Sequence, residues 1–244
     1  MISQTGAELL KIRSTRTTLG LMLGLLFLVL VIVLLTGLLS SVASLLTKED
    51  QRTLFAIGAL AGVFSGLAGV FLVTSEFRFG TIRPTFLFTP QRSRVLAAKL
   101  AASLLGGLIF GVASEGLALV VGYATIKGRG IPTALSAGEV LLLVLGTLIA
   151  VALWGAIGVG LGSIIRNQVG AVITLLAWVF VIDNLLFGLV PAVGRFTPTR
   201  AQDALMGLTT THLLAPVAGG VVLLAWAVAL AVAGFVLTAR RDVN

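Results

Sequence analysis

Apolar residues in this chain come in long blocks, not in alternating or one-in-three patterns. Six blocks are each long enough to cross a bilayer as a helix, which takes about 20 mainly apolar residues. They run from about 19 to 39, 54 to 74, 96 to 123, 140 to 164, 169 to 190 and 213 to 238. The predicted fold class is all-α: a polytopic membrane protein with six transmembrane helices in a single domain, residues 1–244. No intervening segment is long enough for a globular domain, and no tandem repeat or low-complexity linker divides the chain. The first block is about twice as long as the apolar core of many signal peptides. Ser41-Val42-Ala43, a small-x-small sequence, is therefore read as loop and not as a cleavage site.

Composition supports this pattern. Hydrophobic residues make up 58% of the chain and charged residues only 11%, against about 25% charged in soluble domains. One soluble core cannot hide that much apolar surface. The formal charge of +8 would suggest nucleic acid in a soluble protein. Here the cations flank the apolar blocks, where topology and lipid headgroups account for them, and no nucleic-acid partner is expected. Counted by connection, eleven Lys and Arg fall on the side of both termini and six on the other. The positive-inside rule then places N and C termini in the cytoplasm. Before the first span, Leu9, Leu10 and Ile12 lie among Lys11, Arg13 and Arg16. Residues 5–17 are either a short amphipathic helix on the membrane surface or a basic tail that only sets topology.

Candidate chemistry is sparse. With no cysteine, disulfides, thiol catalysis and thiolate metal sites are excluded. His212 is the only histidine, and neither Gly-x-Ser-x-Gly nor His-Glu-x-x-His occurs, so an intramembrane enzyme finds no support. Without Gly-x4-Gly-Lys-Ser/Thr there is no cradle for ATP phosphates, and no cofactor or metal is expected on this chain. Two acids, Glu115 and Asp183, fall inside apolar blocks. Charge there is costly and faces the bundle or a watery path, so both are candidates for a substrate path or for structural hydrogen bonding. Ser103, Gly107, Gly111 and Glu115 share one helix face, as do Gly58, Gly62 and Gly66, and Gly158 and Gly162. Small residues at that spacing mark close helix packing, within the chain or across a dimer. The connection from Pro191 to His212 is long for a bundle loop, and its apolar stretch from Ala201 to Leu208 suggests a short re-entrant or surface helix.

The connection between the second and third blocks, about 75–94, is unlike a plain polar loop. It carries four Phe among acidic and basic residues, with Gly80, Pro84 and Pro90 as breakers. It is either a short ordered element offered to a partner or a loop with topogenic arginines. Glu76-Phe77-Arg78, Gly80-Thr81-Ile82-Arg83, Thr89-Pro90, Arg92 and Lys99 closely resemble the second-to-third connection of ABC-2 type permeases, the membrane subunits of a class of bacterial ABC transporters. Glu8 with Lys11 to Arg16 resembles that family's interfacial helix. Asp183, followed by Leu189-Val190-Pro191 and Gly194 to Pro198, resembles its fifth-span end, where members often have Glu.

The resemblance implies a permease in the bacterial cytoplasmic membrane, paired with an identical or related copy. A separate ATP-binding subunit would hold ATP and Mg. Glu76 to Arg83 would be the coupling element docked on that subunit, with Phe77 and Phe79 as apolar anchors and Arg78 and Arg83 as ionic contacts. Export, not import, is implied by the family alone. The aliphatic intramembrane surface suits a hydrophobic or amphiphilic substrate better than a sugar. A channel, scaffold or sensor is the alternative reading.

Overall fold

The structure is a computed structural model that describes residues 5, 6, 8, 10, 11, 15–81 and 92–240, with backbone alone at 92, 93 and 239. Six of its helices are long and apolar enough to cross a membrane. They are α1 (Arg16–Leu39), α2 (Lys48–Arg78), α3 (Arg92–Gly128), α4 (Ala137–Ile165), α5 (Gln168–Leu189) and, after a short helix α6 (Pro198–Leu205), α7 (Pro216–Arg240). No strand occurs among the described residues. The chain is thus a helical, multi-pass membrane protein. Its helices contain the first four apolar blocks and overrun them at one or both ends, whereas the fifth helix stops at Leu189, one residue short of its block, and the last begins at Pro216, three residues into its block.

Helix ends follow local chemistry. At the start of α4, Ser136 and Glu139 form a capping box, which satisfies two backbone donors that the helix leaves open. Gly80, at φ +68°, follows the last turn of α2, a conformation glycine adopts without the Cβ penalty. Only Arg166 and Asn167 separate α4 from α5; Arg166 takes a left-handed turn and the Asn167 side chain accepts from Gly170 N–H at 2.9 Å. Two irregular turns interrupt the spans: a 3-10 turn at Ala56–Leu60 in α2 and a π turn at Trp178–Ile182 in α5.

Helices α2 and α4 form the centre. In their apolar windows 56% of residues are buried, against 17% in α1, α5 and α7. Their backbones meet where Gly158 faces the Gly66 carbonyl, so closely that a Cβ at Gly158 would collide with it. Gly162 sits over Val70 one turn on, and Gly107 of α3 packs on the Val151 carbonyl of α4. Such contact between backbones replaces the hydrophobic driving force that lipid cannot supply. Peripheral helices keep long apolar faces outward, such as Leu19, Leu23 and Phe27 on α1 and Val169, Ile173 and Phe180 on α5.

One end of the bundle, here termed basal, holds the N-terminal residues, the end of α2 and the starts of α3 and α5. The other, apical, end is tied by side chains. Glu139 takes Lys48 at 3.2 Å and Arg52 at 3.3 Å. Buried Gln51 donates to the Leu45 and Pro132 carbonyls and accepts from Ala134 N–H. The Arg129 guanidinium binds the Gly37 and Ser40 carbonyls at the end of α1.

Candidate functional site

The second-to-third connection begins inside the bundle. Beyond its 3-10 turn, helix α2 runs as regular α-helix from Ala61 to Arg78, so Glu76 lies on its last turn and is buried. Its Oε1 accepts from Lys99 Nζ at 2.7 Å and from Lys11 Nζ at 2.8 Å. Glu8 takes the same two ammonium groups, at 3.1 Å and 3.0 Å. Lys99 also donates to the Leu72 carbonyl at 3.1 Å. Lys99, Glu76 and Glu8 are all nearly sealed from solvent, and such charges persist in a low-dielectric site only when paired. Burial works against the Lys11 charge, but the Glu76 and Glu8 carboxylates outweigh it and hold the ammonium above its ordinary range. This four-residue cluster joins the N-terminal segment, α2 and α3. Residues 5, 6, 8, 10 and 11 have helical backbone.

Beyond Glu76 the side chains divide. Phe77 is half-buried, packs against the cluster containing Leu72, Leu96 and Val159, and has the Arg166 guanidinium 5.2 Å above its ring. Arg78, Phe79, Gly80 and Thr81 are exposed, Phe79 at 71%. Arg78 donates to Gln168 at 3.2 Å and lies 5.5 Å from the Phe79 ring. Helical geometry turns Phe77 inward and leaves Phe79, at the helix end, outward. Ile82, Arg83, Thr89 and Pro90 lie outside the described residues.

Glu115 faces the 3-10 turn of α2, and among the described residues both its carboxylate oxygens lack hydrogen-bond partners. A Cβ at Gly58 would strike Glu115, and Ser114 donates to the Gly58 carbonyl at 2.7 Å. One turn along, Gly62 leaves room for Trp154 and Gln202; Trp154 Nε1 and Gln202 Oε1 are also buried without partners. Gly111 packs on Leu148. Beside Ser65 and Ser103 lies a void of about 10 Å³, edged by Gly107, near the lower limit for one water. The glycine faces singled out in the sequence therefore lie inside one chain.

Asp183 is fully buried and positions the apical connection. Its Oδ2 accepts from Thr199 N–H at 3.1 Å, supplying the acceptor that the Thr197 cap of α6 does not. Arg200 bridges Asn184 at 2.8 Å and Asp203 at 3.1 Å. The helix expected near 201–208 occupies Pro198–Leu205, because Pro198 fits the first helical turn and Gly207 at φ +72° follows its end. His212 is exposed in a turn. No group of three or more metal-binding side chains occurs among the described residues.

Sequence reasoning missed the basal cluster. The available sign was Lys99, a cation inside the third apolar block, which demands acidic partners. Glu8, 91 residues away, could not be paired with it from spacing. Comparison with known proteins finds no matching family and no matching curated protein.

Proposed function

We propose that this chain is the membrane-spanning permease subunit of an ATP-driven ABC transporter, exporting a hydrophobic or amphiphilic compound. The carrying observation is the end of α2. Exposed Arg78 and Phe79 sit two and three residues beyond Glu76, which is locked to the N-terminal segment and α3 through buried ion pairs. A force applied at Arg78 and Phe79 passes directly into α2, the central helix, and through Glu76 into α3. That is the mechanical requirement for a coupling element, and it lies where the residues resemble the ABC-2 type connection. The motor is a separate ATP-binding subunit carrying ATP and Mg, and a second copy or a paralogue completes the permease in the bacterial cytoplasmic membrane. The basal end faces the cytoplasm. Glu115, with its unpartnered oxygens between α2, α3 and α4, is the candidate polar point on the substrate path, while Asp183 holds α6 over the apical exit.

The test is co-purification in mild detergent with a co-expressed ABC-type ATP-binding subunit. ATP hydrolysis by the complex should respond to the permease. Arg78→Ala with Phe79→Ala should leave membrane insertion intact while reducing transport per ATP at least tenfold. If no ATPase subunit binds, the channel, scaffold or sensor reading replaces this one.

A further inference from the structure

The basal end contains a cleft of about 630 Å³ between α1, α2 and α5, within the usual size of ligand pockets. Its floor is apolar, formed by Ala68, Phe71 and Leu72 along α2. Its rim is polar and basic, with Lys11, Arg78, Thr15 and Thr17. Lys11 is half exposed there although its ammonium also serves the buried cluster. The acid on the wall, Glu76, already binds Lys11 and Lys99 through Oε1. Among the described residues, counting Lys11, Lys99 and Arg78 against Glu8 and Glu76 leaves one positive charge at this end of the cleft. The first turn of α1 carries no acidic residue to oppose this field.

The cleft also opens sideways. Helices α1 and α5 both pack on α2 and make little contact with each other. The apolar floor therefore continues into the surrounding hydrocarbon, while the basic rim sits at the ends of the spans, at headgroup height. A soluble anion would use the rim and leave the floor bare. A lipid uses both.

We propose that this cleft binds one phospholipid with a net negative headgroup from the adjoining leaflet. The phosphate rests on Lys11, Arg78 and the threonine hydroxyls, and the acyl chains lie along Ala68, Phe71 and Leu72. This lipid bridges the N-terminal segment and the end of α2. The inference does not depend on the chain being a transporter.

The experiment uses the full chain, purified in neutral detergent and offered equal amounts of phosphatidylglycerol and phosphatidylcholine, with retained lipid counted by native mass spectrometry. One phosphatidylglycerol per chain should be kept in preference to phosphatidylcholine. Arg78→Gln should lower its retention about fivefold, the effect of one cation on an anionic headgroup. Arg78→Lys should retain most of it, and Arg240→Gln, an exposed cation at the same end, should change nothing. Equal retention of the two lipids in the unaltered chain overturns the proposal, whatever the variants do. So does equal loss from Arg240→Gln, which would indicate bulk attraction only. Displacement by millimolar glycerol phosphate would assign the site to a soluble phosphate compound and overturn the lipid.

Discussion

Lys99 shows how one residue can look wrong in sequence and be necessary in the fold. It stands inside an apolar block, where an unpaired ammonium would be expelled. Two carboxylates and a carbonyl surround it at 2.7–3.1 Å. Lys99→Met removes a buried cation and leaves Glu8 and Glu76 repelling each other with only half-exposed Lys11 between them. Breaking a buried pair from one side costs about 3–5 kcal/mol. Thermal unfolding in mild detergent should show a large drop. The double variant Lys99→Met with Glu76→Gln should lose less than the two single changes added together, because the second change removes a charge that the first left unpaired. Additive losses would mean that the two groups do not interact.

At the scale of elements, the predicted spans and the observed helices agree because block length and apolarity act locally. Where they differ, the cause is long-range or lies in capping. The second helix begins at Lys48, six residues before its apolar block, since Thr47 accepts from Asp50 N–H and Gln51, Arg52 and Lys48 all find partners across the apical end. The π turn of α5 carries no sign in Trp178 to Ile182 that periodicity would reveal. The glycine spacing announced close contacts without naming the partner helix. Gly158→Ala tests the α2–α4 contact: its Cβ meets backbone, which cannot rotate away, and overpacking costs about 1–3 kcal/mol. Gly116→Ala is the matched control. Nothing lies within 4 Å of a Cβ there, so it should be neutral or, through helix propensity, slightly stabilising. Asp183→Ala should loosen α6 without unfolding the spans, seen as faster amide exchange confined to residues 198–205.

At the scale of the whole molecule, orientation is expected from charge. Counted by connection in the sequence, eleven cations belong to the side of both termini and six to the other, and several of those six are engaged within the fold. Lys48 and Arg52 share Glu139, Arg200 pairs with Asp203, and Arg129 is bound to carbonyls. Much of the apical charge is thus spent within the fold. Basal Lys11 and Lys99 are paired too, but Arg78 and Arg240 remain exposed at that end. The cysteine-free sequence makes the orientation directly measurable, because one introduced thiol reports without background. Thr81→Cys lies at the exposed basal end of α2, and Thr210→Cys in the exposed apical connection. In intact cells a membrane-impermeant maleimide should label Thr210→Cys and spare Thr81→Cys; permeabilised cells should label both. The reverse pattern would put Arg78 and Phe79 outside the cell, beyond reach of any ATP-binding subunit. The coupling role proposed for the end of α2 would then fail with the orientation.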